Sequence, residues 1–577
     1  MNILTIQLGH NATVLLMQDG EIKSVVSQER FDNIKNSSAF PRDAINWVLA
    51  TNNLNSTDIN NVGICSLTVF PQFFSSGTEG GTGDSRLRRA FIKAEYQAGL
   101  SKPIRLLRRF RRTWNDRQFK KAHQELLDTL WDNWHIPREK VEFIEHHVCH
   151  AYSPVAFFST EDKDWLILTM DGMGDKYFCT VNVLSKGKVQ RISNTGFEHS
   201  IGYVYSLTTK FLGMKPQEHE YKVMGLAAYA KEGYFTRTYE KVFKNVAWLK
   251  DNSLEFDSRF PLYRFEEHLR KTAVGERFDN ISGSLQYFTE NLVLQWVRAA
   301  IDKTGIHNVM TSGGVFMNVK LNKLIQELPE VEDVRFMPSC GDESNPVGAA
   351  SVLWAKYGKS PATLPENLYW GHRFTNDEIR DFIKERELDK NYHVEYCPNI
   401  EARVAKLLSE FKVVARFAGQ AEWGARSLGN RAILANPSDM KSFYTVNDQI
   451  KARDFWMPFA PSILDTDVDR YLINPKKYDA TYMITAFDTK PPAHEDLRAA
   501  MHQGDHTVRP QIVTEKANPK YYRLIQDFKN ITGIGGILNT SLNLHGYPLA
   551  STLDQALFTF ENSGLEHLAL EDYLLSK

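Results

Sequence analysis

The chain has 577 residues, 42% of them hydrophobic and 24% charged, and its 69 basic and 70 acidic side chains leave a net charge of −1. That length exceeds one simple core and predicts two large folding units, while the charge balance argues against a nucleic-acid coat or a polybasic membrane anchor. No apolar run approaches a spanning helix, Met1–Gly9 lacks the features of a signal peptide, and five scattered cysteines suit a reducing cytoplasm rather than a disulfide scaffold.

In chain order, Asn2–Leu8 and Ala12–Met17 read as strands, Asp19-Gly20 is a two-residue turn, and Glu21–Gln28 is a third strand. The pattern returns downstream. Trp165–Met170 is apolar, Asp171–Asp175 turns, Tyr177–Leu184 is apolar, Ser185–Gly187 turns, and Lys188–Ile192 follows. Two such meanders, each opening with a polar glycine turn, predict a duplicated α/β domain whose paired turns face a cleft. Unrelated antiparallel sheets also produce meanders of this kind. Between the copies, Ser75–Ser85 reads as a mobile loop. Arg86–Lys121 then holds thirteen basic against two acidic residues. It suits an anionic acceptor, a phospholipid surface or nucleic acid, and equally a solvated helical face or an oligomer contact.

His146 and His150 fall one helical turn apart in Glu145-His146-His147-Val148-Cys149-His150. Imidazoles at that spacing can chelate a divalent ion, and the same spacing occurs in ordinary core or surface histidines. Asp171, and Asp342 in Cys340-Gly341-Asp342, are the carboxylates best placed to complete a ligand set. Thr311-Ser312-Gly313-Gly314-Val315 follows a strand-like run His307–Met310, with Asn318 and Asn322 on a helix beyond. Such a turn admits a base or a phosphate, or simply joins a strand to a helix. In Glu220–Gly225 a charged triplet leads into a helix expected over Leu226–Ala230.

Gly358, Pro361 and Pro365 mark a boundary near Lys356–Asn367. Beyond it, Val413–Phe417 and Gly535–Leu538 read as strands. Arg426, Lys451, Arg453 and Arg509 stand among small residues, which suits phosphate or carboxylate recognition. Asn539 and Ser541 add neutral donors and acceptors.

Taken in order, these motifs resemble the O-carbamoyltransferase family of NodU/CmcH type. The resemblance runs through Gly9-His10, Glu29-Arg30, Lys35, His146-His147-x-x-His150-Ala151, Asp171-Gly172, Lys222–Ala227, Gly313-Gly314-Val315-x-x-Asn318, Cys340-Gly341-Asp342, Gly424-x-Arg426-x-Leu428-Gly429-Asn430-Arg431, Lys451-x-Arg453, Pro458–Pro461 and Asn539-Thr540-Ser541. It implies an α/β architecture: a duplicated actin/hexokinase-like (ribonuclease H-like) ATPase domain over 1–360, with a basic insert at about 75–134, then a smaller YrdC-like α/β domain over 361–577. In that family carbamoyl phosphate and ATP give carbamoyl adenylate and pyrophosphate in the second domain. The carbamoyl group then passes to a hydroxyl of a sugar or natural product in the first.

Carried onto this sequence, the resemblance makes His146, His150, Asp171 and Asp342 the ligands of a divalent metal, iron foremost, with zinc or manganese as alternatives. It makes His10 a general base and Lys35 the partner of the adenylate phosphate. Gly313, Gly314 and Asn318 would hold the adenosine of Mg-ATP. Arg426, Lys451, Arg453, Arg509, Asn539 and Ser541 would gather carbamoyl phosphate and the ATP phosphates. Three positions depart from the family: Asn11 replaces Asp, Met457 replaces Arg, and Tyr547 replaces Glu. Two other readings share the fold, a threonylcarbamoyl-type tRNA-modifying enzyme and a nucleotide-regulated binding protein. The near-neutral charge disfavours nucleic acid, and a homo-oligomer is compatible with the sequence.

Overall fold

The computed structural model describes residues 1–69, 119–160 and 163–577. The loop Ser75–Ser85 and the basic run up to residue 118 lie outside them. Among the described residues, no helix is long and apolar enough to cross a membrane.

The first sheet is built from β1 (Asn2–Gln7), β2 (Thr13–Gln18), β3 (Glu21–Ser27), β4 (Asn61–Ile64) and β5 (Val141–Phe143), in the order β3-β2-β1-β4-β5. The first three strands form an antiparallel meander, and β4 and β5 add to β1 in parallel. Strand alternation sorts the side chains. Ile3, Leu15 and Met17 face the large core shared with the second sheet, whereas Leu4, Ile6, Val14 and Leu16 face the opposite layer. That layer contains helix Arg42–Thr51 and the helical residues 119–134.

The second sheet repeats the plan. Its strands are β6 (Trp165–Gly174), β7 (Tyr177–Ser185) and β8 (Lys188–Gly196), then, beyond a small hairpin of β9 (Ala247–Leu249) and β10 (Phe256–Ser258), β11 (Asn308–Ser312) and β12 (Asp333–Phe336). The order β8-β7-β6-β11-β12 has the same senses of pairing as the first sheet. The duplication expected from the two meanders is therefore present in full, and this arrangement is the actin/hexokinase-like, ribonuclease H-like plan.

In each copy the fifth strand leads to a helix: α1 (His146–Phe157) after β5, and α4 (Asn345–Tyr357) after β12. These two helices cross at the pseudo-dyad between the sheets. A Cβ at Gly348 of α4 would lie 1.7 Å from the Cys149 carbonyl oxygen of α1, so only glycine permits this approach. The intervening helices include α2 (Glu220–Ala227) and the 27-residue α3 (Phe278–Thr304). Helix α2 begins at Glu220, earlier than Leu226, because the charged triplet forms its first turn: Lys222 and Val223 are buried there.

The second domain is built on an eight-stranded mixed sheet of β13 (His393–Tyr396), β14 (Val414–Phe417), β15 (Arg431–Ala435), β16 (Ala460–Leu464), β17 (Gln511–Val513), β18 (Gly536–Ser541), β19 (His567–Leu570) and β20 (Tyr573–Ser576). Alternate residues of β14 and β15 feed two cores, Val414, Ala432 and Leu434 on one face, Ala415, Phe417, Ile433 and Ala435 on the other.

The two domains meet along a seam held by polar contacts. Arg30 donates to the carbonyls of Leu549 (3.0 Å) and Gly424 (3.2 Å), and Lys222 pairs with Asp454 at 3.2 Å. Asn322 donates to the Ile484 carbonyl at 2.6 Å, Lys476 to that of Leu328 at 2.6 Å, and His502 Nε2 meets the Gly225 carbonyl at 2.9 Å.

Candidate active site

The pseudo-dyad brings together His146, His150, Asp171 and Asp342. Helix α1 places the two imidazoles on one face, one turn apart. Asp171 comes from the end of β6, and Asp342 from the short turn Asp342–Ser344 that leads into α4. One ligand atom from each lies within 4.8 Å of all the others. His146 Nε2 is 3.6 Å from Asp171 Oδ2 and 3.5 Å from Asp342 Oδ1, and His150 Nε2 is 3.2 and 3.7 Å from the same atoms. Donors bound at about 2.1 Å around one ion lie roughly 3.0–3.5 Å apart in octahedral to tetrahedral geometry. The cluster is close to that spacing. His146 Nε2 is also buried without a hydrogen-bond partner, an otherwise costly orphan that a cation would satisfy.

Electrostatics agree. Burial pushes the His146 imidazole down, but the Asp342 and Asp171 carboxylates outweigh it and lift it to about 9. His150 is raised against its burial by the same pair of carboxylates, and Asp171 is held well below the usual range by the two imidazoles. The His150 ring is oriented from behind, Nδ1 lying 3.2 Å from Ser312 Oγ and 3.3 Å from Ser344 Oγ. His147 points elsewhere. Its nitrogens meet Thr169 Oγ1 (2.8 Å) and the Tyr177 carbonyl (3.1 Å), and burial keeps it neutral.

Gly313 and Gly314 border this centre. Gly313 has φ +106° and stands over the Met170 carbonyl, where a Cβ would come within 2.3 Å; a Cβ on Gly314 would lie 3.0 Å from Asp171 Oδ1. Asn318 caps the following helix through Leu321 N–H and exchanges two hydrogen bonds with Gln286 of α3 (2.9 and 3.0 Å). Gln286 in turn contacts Tyr205 and Glu290. His10, partly exposed on the first turn, is in electrostatic reach of Glu220, whose carboxyl burial raises. The neighbouring Asn11 donates to Glu343 at 2.9 Å. The residue that departs from the family thus ties the first turn to the Asp342 loop.

Across that loop lies a cluster of cations. Arg426, on the far side of Glu343 and Cys340, is drawn down to about 10 by burial, partly offset by Tyr221, with Arg453 adding repulsion. Burial likewise lowers Arg453, and it lowers Arg509 well below its ordinary range, with Arg426 and Arg453 as its charged neighbours. Arginine keeps its charge at neutral pH, so three half-buried positive charges stand together here. The Nε atoms of Arg426 and Arg509 have no hydrogen-bond partner. Lys35 of the first domain joins the group. Burial lowers it, its Nζ lies 3.9 Å from Glu218 and 5.6 Å from the Tyr221 ring, and it is in electrostatic reach of Arg453 and Arg426.

The remaining residues expected at the donor site have inward partners. Lys451 is buried and donates to the carbonyls of Ser541 and Asn543 and to their side chains, which makes it the anchor of that loop. Asn539 donates within the sheet to Ser427, Ser462 and Gln511. Met457 packs as a buried apolar side chain, and Tyr547 meets Phe558 with ring centroids 5.7 Å apart and planes tilted by 59°. Tyr221 and Glu343, set between the two clusters, were not signalled by the sequence. Neither belongs to a local ligand pattern.

Comparison with known proteins gives the family. Residues 2–351 match the carbamoyltransferase N-terminus and residues 405–577 the carbamoyltransferase C-terminus. The uncharacterized protein MJ1058 of Methanocaldococcus jannaschii is 31% identical over 468 residues, covering 77% of this chain and 75% of that one. Nodulation protein NolNO of Sinorhizobium fredii is 28% identical over 578 residues, covering 98% and 79%. Among solved structures, component A of the (R)-2-hydroxyglutaryl-CoA dehydratase of Acidaminococcus fermentans overlays 62% of this chain and 98% of its own, at 13% identity and a TM-score of 0.32. Matched over both of its domains, the chain belongs to the carbamoyltransferase family and is an enzyme of that family.

Proposed function

We propose that the chain is an ATP-dependent O-carbamoyltransferase acting from carbamoyl phosphate, through carbamoyl adenylate, on a hydroxyl of a small acceptor such as a sugar or natural product. The observation that carries this reading is the juxtaposition of two unlike clusters across the loop Ser339–Glu343: a His₂Asp₂ centre in the first domain and a group of arginines crowded together at the seam.

The arginines suit the first half-reaction. Water hydrolyses carbamoyl phosphate to carbamate and phosphate, a carbamate oxygen attacks the α-phosphorus of ATP, and the bond to the β-phosphate breaks as pyrophosphate leaves. Charge on the oxygens crowded there is offset by Arg426, Arg453 and Arg509, with Lys35 facing the adenylate phosphate. In the second half-reaction the acceptor hydroxyl attacks the carbamoyl carbon, AMP departs, and His10 takes the proton. Gly313, Gly314 and Asn318 would hold the adenosine. His146, His150, Asp171 and Asp342 would hold a divalent metal, whose positive charge would polarise the transferring group and counter the phosphate. Iron is the leading choice, and the mixed N/O donor set also accepts zinc or manganese. Lys451, in electrostatic reach of Arg453 and Lys35, would add its charge at the donor site, and Asn539 and Ser541 would line it.

The test is incubation with ATP, carbamoyl phosphate and a panel of hydroxylated acceptors, monitoring pyrophosphate and carbamoylated product. Pyrophosphate release that requires carbamoyl phosphate is expected. ATP binding without it would favour the nucleotide-regulated binding protein.

A further inference from the structure

We propose that Asp175 is a positioning residue for the His146 ligand, acting with Gly174 through the corner between β6 and β7. The inference rests on reading the His₂Asp₂ centre as a metal site.

The two histidines of that centre are held differently. His150 has two serine hydroxyls behind Nδ1. Among hydrogen-bond partners His146 has only Asn345 Nδ2 at 3.4 Å from Nδ1, a long and weak contact, and its Nε2 faces Asp171 and Asp342 at 3.6 and 3.5 Å without a hydrogen bond to either. Its orientation must therefore come from packing and from its backbone, and the corner supplies both. The corner turns through two left-handed residues, Asp175 (φ 52°) and Lys176 (φ 135°), which is unusual for residues with side chains. A Cβ at Gly174 would fall 2.0 Å from His146 Cδ2, so the imidazole lies directly on the glycine.

From that corner the Asp175 carboxylate reaches four donors. Oδ2 accepts the N–H groups of His146 (2.8 Å) and Leu67 (2.8 Å). Oδ1 accepts the Ser66 hydroxyl (2.7 Å) and the Thr68 N–H (2.9 Å). An ionised carboxylate offers about four acceptor positions, so this one is fully used. Glu145, the N-cap of α1, accepts the next two helical N–H groups, from His147 (3.1 Å) and Val148 (3.0 Å), and is itself paired with Arg191. The first three N–H groups of α1 thus end on two carboxylates, which favour a helix N-terminus. Glu145 fixes the helix as a whole. Asp175 fixes the residue that carries the ligand.

The test compares the metal-free wild type with Asp175→Asn and Ser66→Ala in equilibrium dialysis against Zn²⁺ and Co²⁺, with the visible spectrum of the Co²⁺ form. In Asp175→Asn an amide NH₂ replaces one acceptor oxygen. Metal affinity should fall about 10- to 100-fold, the usual cost of losing an outer-sphere partner, with altered Co²⁺ bands. Ser66→Ala removes one bond from the other oxygen and should leave affinity and spectrum as in wild type. Wild-type affinity in Asp175→Asn, or an equal loss in Ser66→Ala, would overturn the inference. Should Asp175→Asn fail to fold, Gly174→Ala decides: its methyl must displace the His146 ring, so a drop in affinity is expected and unchanged affinity is fatal. A wild-type chain that takes up neither ion would overturn the metal reading itself, and this inference with it.

Discussion

At the residue scale, the carboxylates beside the buried His146 imidazole strengthen its hold on a proton. Its folded value of about 9, set by burial opposed by Asp342 and Asp171, stands above the ordinary 6.5. A group raised on folding contributes stability that is fully present below its unfolded value and is lost as pH climbs through its folded value. The metal-free chain should therefore become less resistant to urea between about pH 6.5 and 9, and His146→Gln should flatten that part of the profile. Metal uptake should follow the opposite trend, strengthening over the same interval because the ion displaces the proton. Calorimetry in buffers of different ionisation enthalpy would detect the released proton. The His-x-x-x-His spacing made this pair legible in the sequence, since helical periodicity alone puts both rings on one face. The hydrogen bonds of Lys451 were not legible, because its carbonyl partners at Ser541 and Asn543 lie 90 and 92 residues away.

The elements explain how two pieces of chain distant in sequence bring His146, His150, Asp171 and Asp342 into one cluster. Helices α1 and α4 occupy equivalent places in the two copies, and each brings ligands through its N-terminal end, imidazoles from one and a carboxylate from the approach to the other. Their contact is set by Gly348, whose missing side chain leaves room for the Cys149 carbonyl. Gly348→Val should thus destabilise the fold by about 1–3 kcal/mol, the usual cost of overpacking, and lower metal uptake by pushing α1 and α4 apart. Thermal unfolding read beside metal content would show both. The six strands of the two meanders were readable from apolar runs separated by Asp19-Gly20 and Ser185–Gly187. Helix α2 was misplaced by several residues because Lys222 is buried against the second domain, and a local pattern treats a charged residue as exposed.

For the whole molecule, the geometry predicts that the two half-reactions can be separated by mutation. Arg426→Ala should cut pyrophosphate release by about 10²–10³-fold, the scale seen when one charge-stabilising donor is lost, while metal content stays at the wild-type level. His146→Ala should do the reverse, sparing pyrophosphate release and abolishing metal uptake and product. Parallel losses in both variants would mean that the clusters form one inseparable site. The sequence disclosed that each domain carried ligand-type residues. That Glu343, Asn11 and Tyr221 occupy the ground between them emerged only from the packed chain, since each acts through partners from remote segments.

The stapled seam has a consequence for traffic inside the enzyme. Arg30, Lys222, Asn322, Lys476 and His502 each join backbone or charge across it, at places spread from Arg30 to Leu549. Swinging one domain away from the other would break all of these at once and strand several buried groups without partners. An adenylate of the kind proposed above, made at the arginines, would then have to migrate through the interior while the walls stand still, past Glu343 and Tyr221. Those two side chains, by their bulk and hydrogen bonding, would govern how fast it moves and how little water travels with it.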